Sequence, residues 1–174
     1  MKQLDALLGF SVRELAGADF NGNIPVPDGV ANMLIAKQLA RRQLPVSQVR
    51  LSALDGDAFH GEVVFKSGLV PELAIHLHIE RQPRPDDPVL VLNWSLPSLG
   101  PLALLAGSVV SRFKDLPPGI RIEGKQILID IRTLVSAQGH ADLLDYLTAL
   151  EVHTRQGAFL LHVGVRVPPP IAVP

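Results

Sequence analysis

The sequence contains no cysteine, which excludes disulfides, thiolate nucleophiles and cysteine-ligated metal centres. Aromatic residues make up only 5% of the 174 residues, with a single Trp and a single Tyr. A core built from this chain must therefore be mostly Leu, Val, Ile and Ala, with few rings left for stacking on bases or sugars. Charge of one sign is also missing. Sixteen Lys and Arg against seventeen Asp and Glu leave a formal net charge of -1, so no nucleic-acid partner is expected from long-range steering. Lys37, Arg41 and Arg42 do cluster on one expected helix, where basic residues favour the negative end of the helix dipole.

No hydrophobic run is long enough to span a bilayer. The strongest, Leu99 to Val110, is broken by Pro101, Gly107 and Ser108 and falls short of the roughly 20 residues a crossing helix needs. The first ten residues carry a Lys, an Asp and only a short apolar run, unlike a secretory signal. The expectation is a cytoplasmic protein without a transmembrane segment.

What is present is ample apolar material, 47% of the chain, enough for one well-packed domain of this length. Residues 1–167 are expected to form a single α+β domain, and the Pro-rich tail 168–174 to leave it, since Pro168 to Pro170 cannot continue a ladder. Ser11 and Glu14 have capping-box spacing for an early short helix, after a possible turn carrying Leu4, Leu7 and Leu8. Gly22 to Gly29, with Pro25 and Pro27, is expected to interrupt regular structure. Asp28 can cap a helix over roughly Val30 to Gln43. In Val49 to Ala53 alternate residues are apolar, and Asp55-Gly56 marks a reversal into a strand near Glu62 to Lys66.

Alternation is clearest from Leu73 to Ile79: Leu73, Ile75, Leu77 and Ile79 share one face, and Ala74, His76, His78 and Glu80 the other. That is the pattern of a half-buried antiparallel strand. Val89 to Trp94 is apolar on both faces and reads as a deeply buried strand. A second helix is expected over Pro101 to Phe113, then strands at Ile120 to Glu123 and Ile127 to Ile131 around Gly124-Lys125. A short helix near His140 to Leu147 precedes strands near Leu150 to His153 and Phe159 to Val167, which turn at Gly157. The recurring order, a helix followed by two strands joined through a glycine turn, argues against a Rossmann fold. The fold class expected is α+β, with a curved, mainly antiparallel sheet, two longer helices and one or two short ones packed on it.

No catalytic signature stands out. The chain has no HExxH, GxSxG, GxxxxGK or GxGxxG pattern. His76, His78 and Glu80 share a strand face, a set of side chains suited to ligating a metal, but the open, polar side of a half-buried strand is the better account of them; no metal and no cofactor is expected. His60, His140, His153 and His162 are scattered, as are Asp55, Asp57, Glu62 and Asp130. An enzyme would have to assemble its site from such distant residues, so a non-catalytic role is the leading expectation.

The apolar helix positions Met33, Leu34, Leu39, Leu102, Leu105, Val109 and Val110 either pack as ordinary core or line an apolar groove between helix and sheet. His76, His78, Arg112 and Lys114 are the candidate polar rim of such a groove. The alternative is an interaction module with a filled interior, including a homo-oligomer.

The segments VANMLIAKQLARRQ (30–43) leading into VRLSALDGDAF (49–59), and LPPGIRIEGKQILIDI (116–131) followed by LEVHTRQGAFLLHVGVRV (150–167), resemble the tubular lipid-binding superfamily, including its synaptotagmin-like mitochondrial-lipid-binding branch. The resemblance implies a long helix packed on a curved antiparallel sheet, with lipid chains in an internal groove. It supplies no catalytic residues. The chain differs from that family in being short and in its early second helix.

Overall fold

A computed structural model describes residues 16–40, 45–66, 72–96, 116–137, 139 and 141–169. The expected α+β architecture, curved antiparallel sheet with helices packed on it, is the one the chain adopts. In chain order the elements are β1 (Asp19–Pro27), α1 (Asp28–Ala40), β2 (Val46–Leu54), β3 (Ala58–Phe65), β4 (Leu73–Arg81), β5 (Val89–Ser95), β6 (Ile120–Glu123), β7 (Gln126–Asp130), α2 (Ile131–Ser136), a 3-10 helix (Ala141–Tyr146), β8 (Leu147–Arg155) and β9 (Ala158–Arg166). The strands divide into a sheet of order β1-β9-β8 and a six-stranded sheet of order β2-β3-β4-β5-β7-β6. Every ladder among the described residues is antiparallel.

The β1 segment departs from the expected interruption at Gly22 to Gly29. It pairs with β9 from Asp19↔Arg166 to Pro27↔Ala158. Pro25 and Pro27 are two residues apart, so both missing donors lie along the same margin of the strand, and among the described strands β1 has a neighbour on only one side. Proline is tolerated on such an edge because no ladder bond is lost there. The register is pinned by cross-strand polar pairs, Asp19 with Arg166 at 3.0 Å and Asn23 with His162 at 3.0 Å.

The helix α1 begins at Asp28, and the Asp28 carboxylate does more than mark its start: it accepts from the Ala53 N–H at 3.1 Å. Asn32, one turn on, accepts from Leu51 N–H at 2.7 Å and donates to Leu51 O at 2.9 Å. The helix thus lies along β2, the edge of the larger sheet. A second departure is α2, which starts where a strand was expected to continue at Ile131. Asp130 caps it by accepting from Thr133 N–H and from the Thr133 hydroxyl, at 3.1 and 2.7 Å. The helix expected over Pro101 to Phe113, and the early helices around Leu4 to Glu14, lie outside the described residues.

The two sheets join where two hairpin turns meet. Gly157 N–H, in the β8–β9 turn, donates to Ala53 O, and Gln156 N–H donates to Asp55 in the β2–β3 turn. Gln82 reaches from the end of β4 to β8, where it accepts from Val152 N–H and donates to Val152 O, both at 2.8 Å. Beneath these contacts Phe59 and Phe159 meet edge to face with centroids 5.5 Å apart, a favoured arrangement for aromatic quadrupoles. Phe59, Leu77, Ile79, Leu90 and Leu92 form the buried cluster. Among the described residues no helix is long and apolar enough to cross a membrane.

Candidate functional site

The apolar side of the six-stranded sheet follows from its register. Ala53, Phe59, Leu77 and Trp94 lie in one row across β2, β3, β4 and β5. Leu51, Gly61 and Ile75 form the next row, and Val49, Val63 and Leu73 the one beyond. Burial falls along this direction. Ala53, Phe59 and Leu77 are buried, whereas Leu51, Ile75, Val49, Val63 and Leu73 are only half-buried. The buried end lies beside β8 and β9, whose Val152 and Phe159 pack against the core cluster.

Gly61 shapes this surface. A Cβ there would stand 2.7 Å from Ile75 Cγ1, so only glycine lets the Ile75 side chain lie across the β3 backbone. Trp94, the single tryptophan of the chain, packs against the core cluster in the same row as Leu77. Its backbone N–H donates to Lys125 O at 2.9 Å. Its indole Nε1 is buried and has no hydrogen-bond partner among the described residues. An unmade bond of that kind costs about 1–3 kcal/mol, and buried donors are seldom left so.

The sequence-selected groove residues fall differently. On α1, Met33 is 44% and Leu34 51% exposed, while Leu39 is half-buried. The helix carries apolar residues almost all the way round, so periodicity alone could not choose its inward face. The choice is made by Asn32, whose amide binds the β2 edge. Leu102, Leu105, Val109, Val110, Arg112 and Lys114 lie outside the described residues. The apolar rows of β2 and β4, by contrast, were legible as strand alternation; β3 and β5 showed no clean alternation, and the indole donor of Trp94 was not singled out.

His76 and His78 are exposed on the opposite, polar side of the sheet. His76 sits opposite His60 across the β3–β4 ladder, their rings edge to face with centroids 4.7 Å apart. On the same side Glu80 accepts from Gln126 Nε2 at 3.0 Å. No group of three His, Cys, Asp or Glu among the described residues is placed to hold a metal ion.

A third constellation sits at the junction of the sheets. His153 on β8 has Nδ1 3.2 Å from the Asp57 carboxylate and Nε2 3.2 Å from Glu151. The Glu151 contact first, and the Asp57 contact with it, raise the His153 pKa above 6.5 against the opposing effect of burial. Asp57 itself holds a left-handed backbone, φ 58°, a conformation Asp tolerates better than most residues. Its carbonyl accepts from Ile79 N–H at 2.8 Å and its carboxylate from Thr154 N–H at 3.2 Å. With these partners fixed, the junction acts as a structural clasp between the two sheets.

An open cleft of about 570 Å³ lies elsewhere, between the start of β1 and the end of β9, lined by Ala18, Tyr146, Val167 and Pro168 and crossed by the Asp19–Arg166 pair. No protein-family model, curated protein or solved structure matches this chain.

Proposed function

We propose that this protein binds an apolar small molecule of the lipid class against the inner side of its six-stranded sheet, by sequestration and without catalysis. The observation that carries this reading is the half-buried apolar surface of Leu51, Ile75 and their neighbours, beside a buried indole N–H that has no partner among the described residues. The reading agrees with the resemblance to the tubular lipid-binding superfamily, and moves the candidate contacts from Met33 and Leu34 to the strands. Each 100 Å² of apolar surface a ligand removes from water contributes about 2.5 kcal/mol, before the cost of ordering the ligand.

The test is native mass spectrometry of gently purified protein, followed by extraction and identification of any retained molecule. Retention of a lipid-sized apolar compound is the expected result. Protein that emerges empty, and that takes up none of a panel of fatty-acyl esters and long-chain hydrocarbons, sinks the proposal.

The exposure of Met33 and Leu34 favours a second reading, self-association through the outer side of α1. Its signature is a concentration-dependent mass in light scattering, independent of any ligand.

A further inference from the structure

Trp94 Nε1 narrows the chemistry of the ligand. An indole nitrogen donates and cannot accept, so whatever answers it must present an acceptor. A lone water meets this requirement poorly, because an ordered buried water needs two to four polar partners. Trp94 is packed against the apolar cluster that Phe59, Leu77, Ile79, Leu90 and Leu92 form. A carboxylate also fits badly: one neutral donor does not offset the cost of taking an anion out of water. A neutral oxygen on an otherwise apolar molecule satisfies the donor at no such cost.

We infer that the ligand is a neutral acyl ester or ketone of the lipid class, whose carbonyl oxygen accepts from Trp94 Nε1 while its chain lies along Ile75 and Leu51. This rests on the proposed apolar-ligand function and adds a selection rule to it. The surface distinguishes an oxygenated lipid from a hydrocarbon of the same length, through one residue. The discrimination arises because a site holding a buried donor rejects the analogue that cannot accept from it.

The test compares methyl laurate with pentadecane, an alkane of similar size, on the full chain and on Trp94→Phe. Phenylalanine keeps most of the apolar area and removes the N–H. Binding is read by equilibrium dialysis, and in the wild type also by the proton–nitrogen resonance of the one indole. The expected results are a downfield shift of that resonance with methyl laurate and none comparable with pentadecane. Trp94→Phe should weaken methyl laurate binding roughly five- to tenfold, the scale of one buried hydrogen bond, and leave pentadecane within about twofold.

Equal weakening for both ligands would reduce Trp94 to an apolar contact and overturn the inference while leaving apolar binding intact. So would a wild type in which the indole resonance responds alike to both. If neither compound binds the wild type, the parent reading falls as well. Should Trp94→Phe fail to fold, the wild-type resonance decides the matter alone.

Discussion

Asn32 and Leu51 exchange two hydrogen bonds, the side-chain amide of one acting as a peptide group toward the backbone of the other. The same device recurs on the second sheet, where the Gln82 amide meets both backbone groups of Val152. Next along each edge a carboxylate takes the following outward N–H: Asp28 that of Ala53, and Asp57 that of Thr154. Edge strands invite pairing with other chains unless their backbone groups are covered. Here the edges of β2 and β8, which meet at the junction, are capped by side chains from Asp28, Asn32, Asp57 and Gln82.

Removing either amide should therefore cost more than a surface substitution. Asn32→Leu leaves the part-buried N–H and C=O of Leu51 without their partners, and Gln82→Leu does the same to Val152. Each should destabilise the fold by about 1–3 kcal/mol, read as a lower urea midpoint with an unchanged slope. A loss below about 0.5 kcal/mol, ordinary for exposed positions, would mean that water replaces the amide without penalty.

The clasp at His153 carries a pH dependence whose sign is fixed. Its pKa is raised in the folded protein, by Glu151 first and by Asp57, so its contribution is fully present below 6.5 and is lost as pH rises through the folded value. His153→Gln should thus lower the melting temperature most in mildly acidic buffer, with the gap to wild type closing toward mildly alkaline pH. Because the imidazole is 42% exposed, the gap should also shrink with salt. A difference that grows with pH contradicts the assignment.

Much of this fold could be read from alternation. Leu73 to Ile79 declared its buried side, and Leu77 and Ile79 are indeed among the most buried residues. The Asp55-Gly56 and Gly157 turns were legible because their backbone needs φ above zero, observed at Gly56 and Gly157. What failed is equally physical. Pro25 and Pro27 were read as breakers because a sequence does not say which strand will be an edge. The apolar sides of α1 gave no inward direction, and Met33 and Leu34 are exposed at 44% and 51%. Contacts such as Gln82 with Val152 join residues seventy positions apart, and no local pattern announces them. Trp94 was read as part of a deeply buried strand and is itself half-buried, and an unmet donor is a property of its surroundings in three dimensions.

The cap on α2 gives a prediction of opposite pH sign. The Thr133 hydroxyl bond, helped by the backbone N–H groups of Thr133 and Arg132 and by the charge of Arg121, holds the Asp130 carboxyl below its ordinary 3.8 against the effect of burial. Its stabilisation is present above that value and is lost as pH falls through the lower, folded one. Asp130→Ala should cost about 0.5–2 kcal/mol at neutral pH, and Asp130→Asn, which keeps an acceptor, distinctly less. Denaturation midpoints of the pair, measured at pH 7 and again near pH 3, check both the size and the acid-side convergence with wild type.

Met33 and Leu34 separate the two functional readings. Both are substantially exposed at 44% and 51%, so replacing them with Gln should change stability by no more than about 0.5 kcal/mol each. A ligand seated on Leu51, Ile75 and Trp94 does not meet that side of α1, and its affinity should be unchanged in the double variant. Self-association through α1, in contrast, would bury these two side chains, and their loss should shift the light-scattering mass toward the monomer. Binding of methyl laurate that falls with the double substitution, while the mass stays constant, would return the ligand to the helix and argue against the strands as its seat.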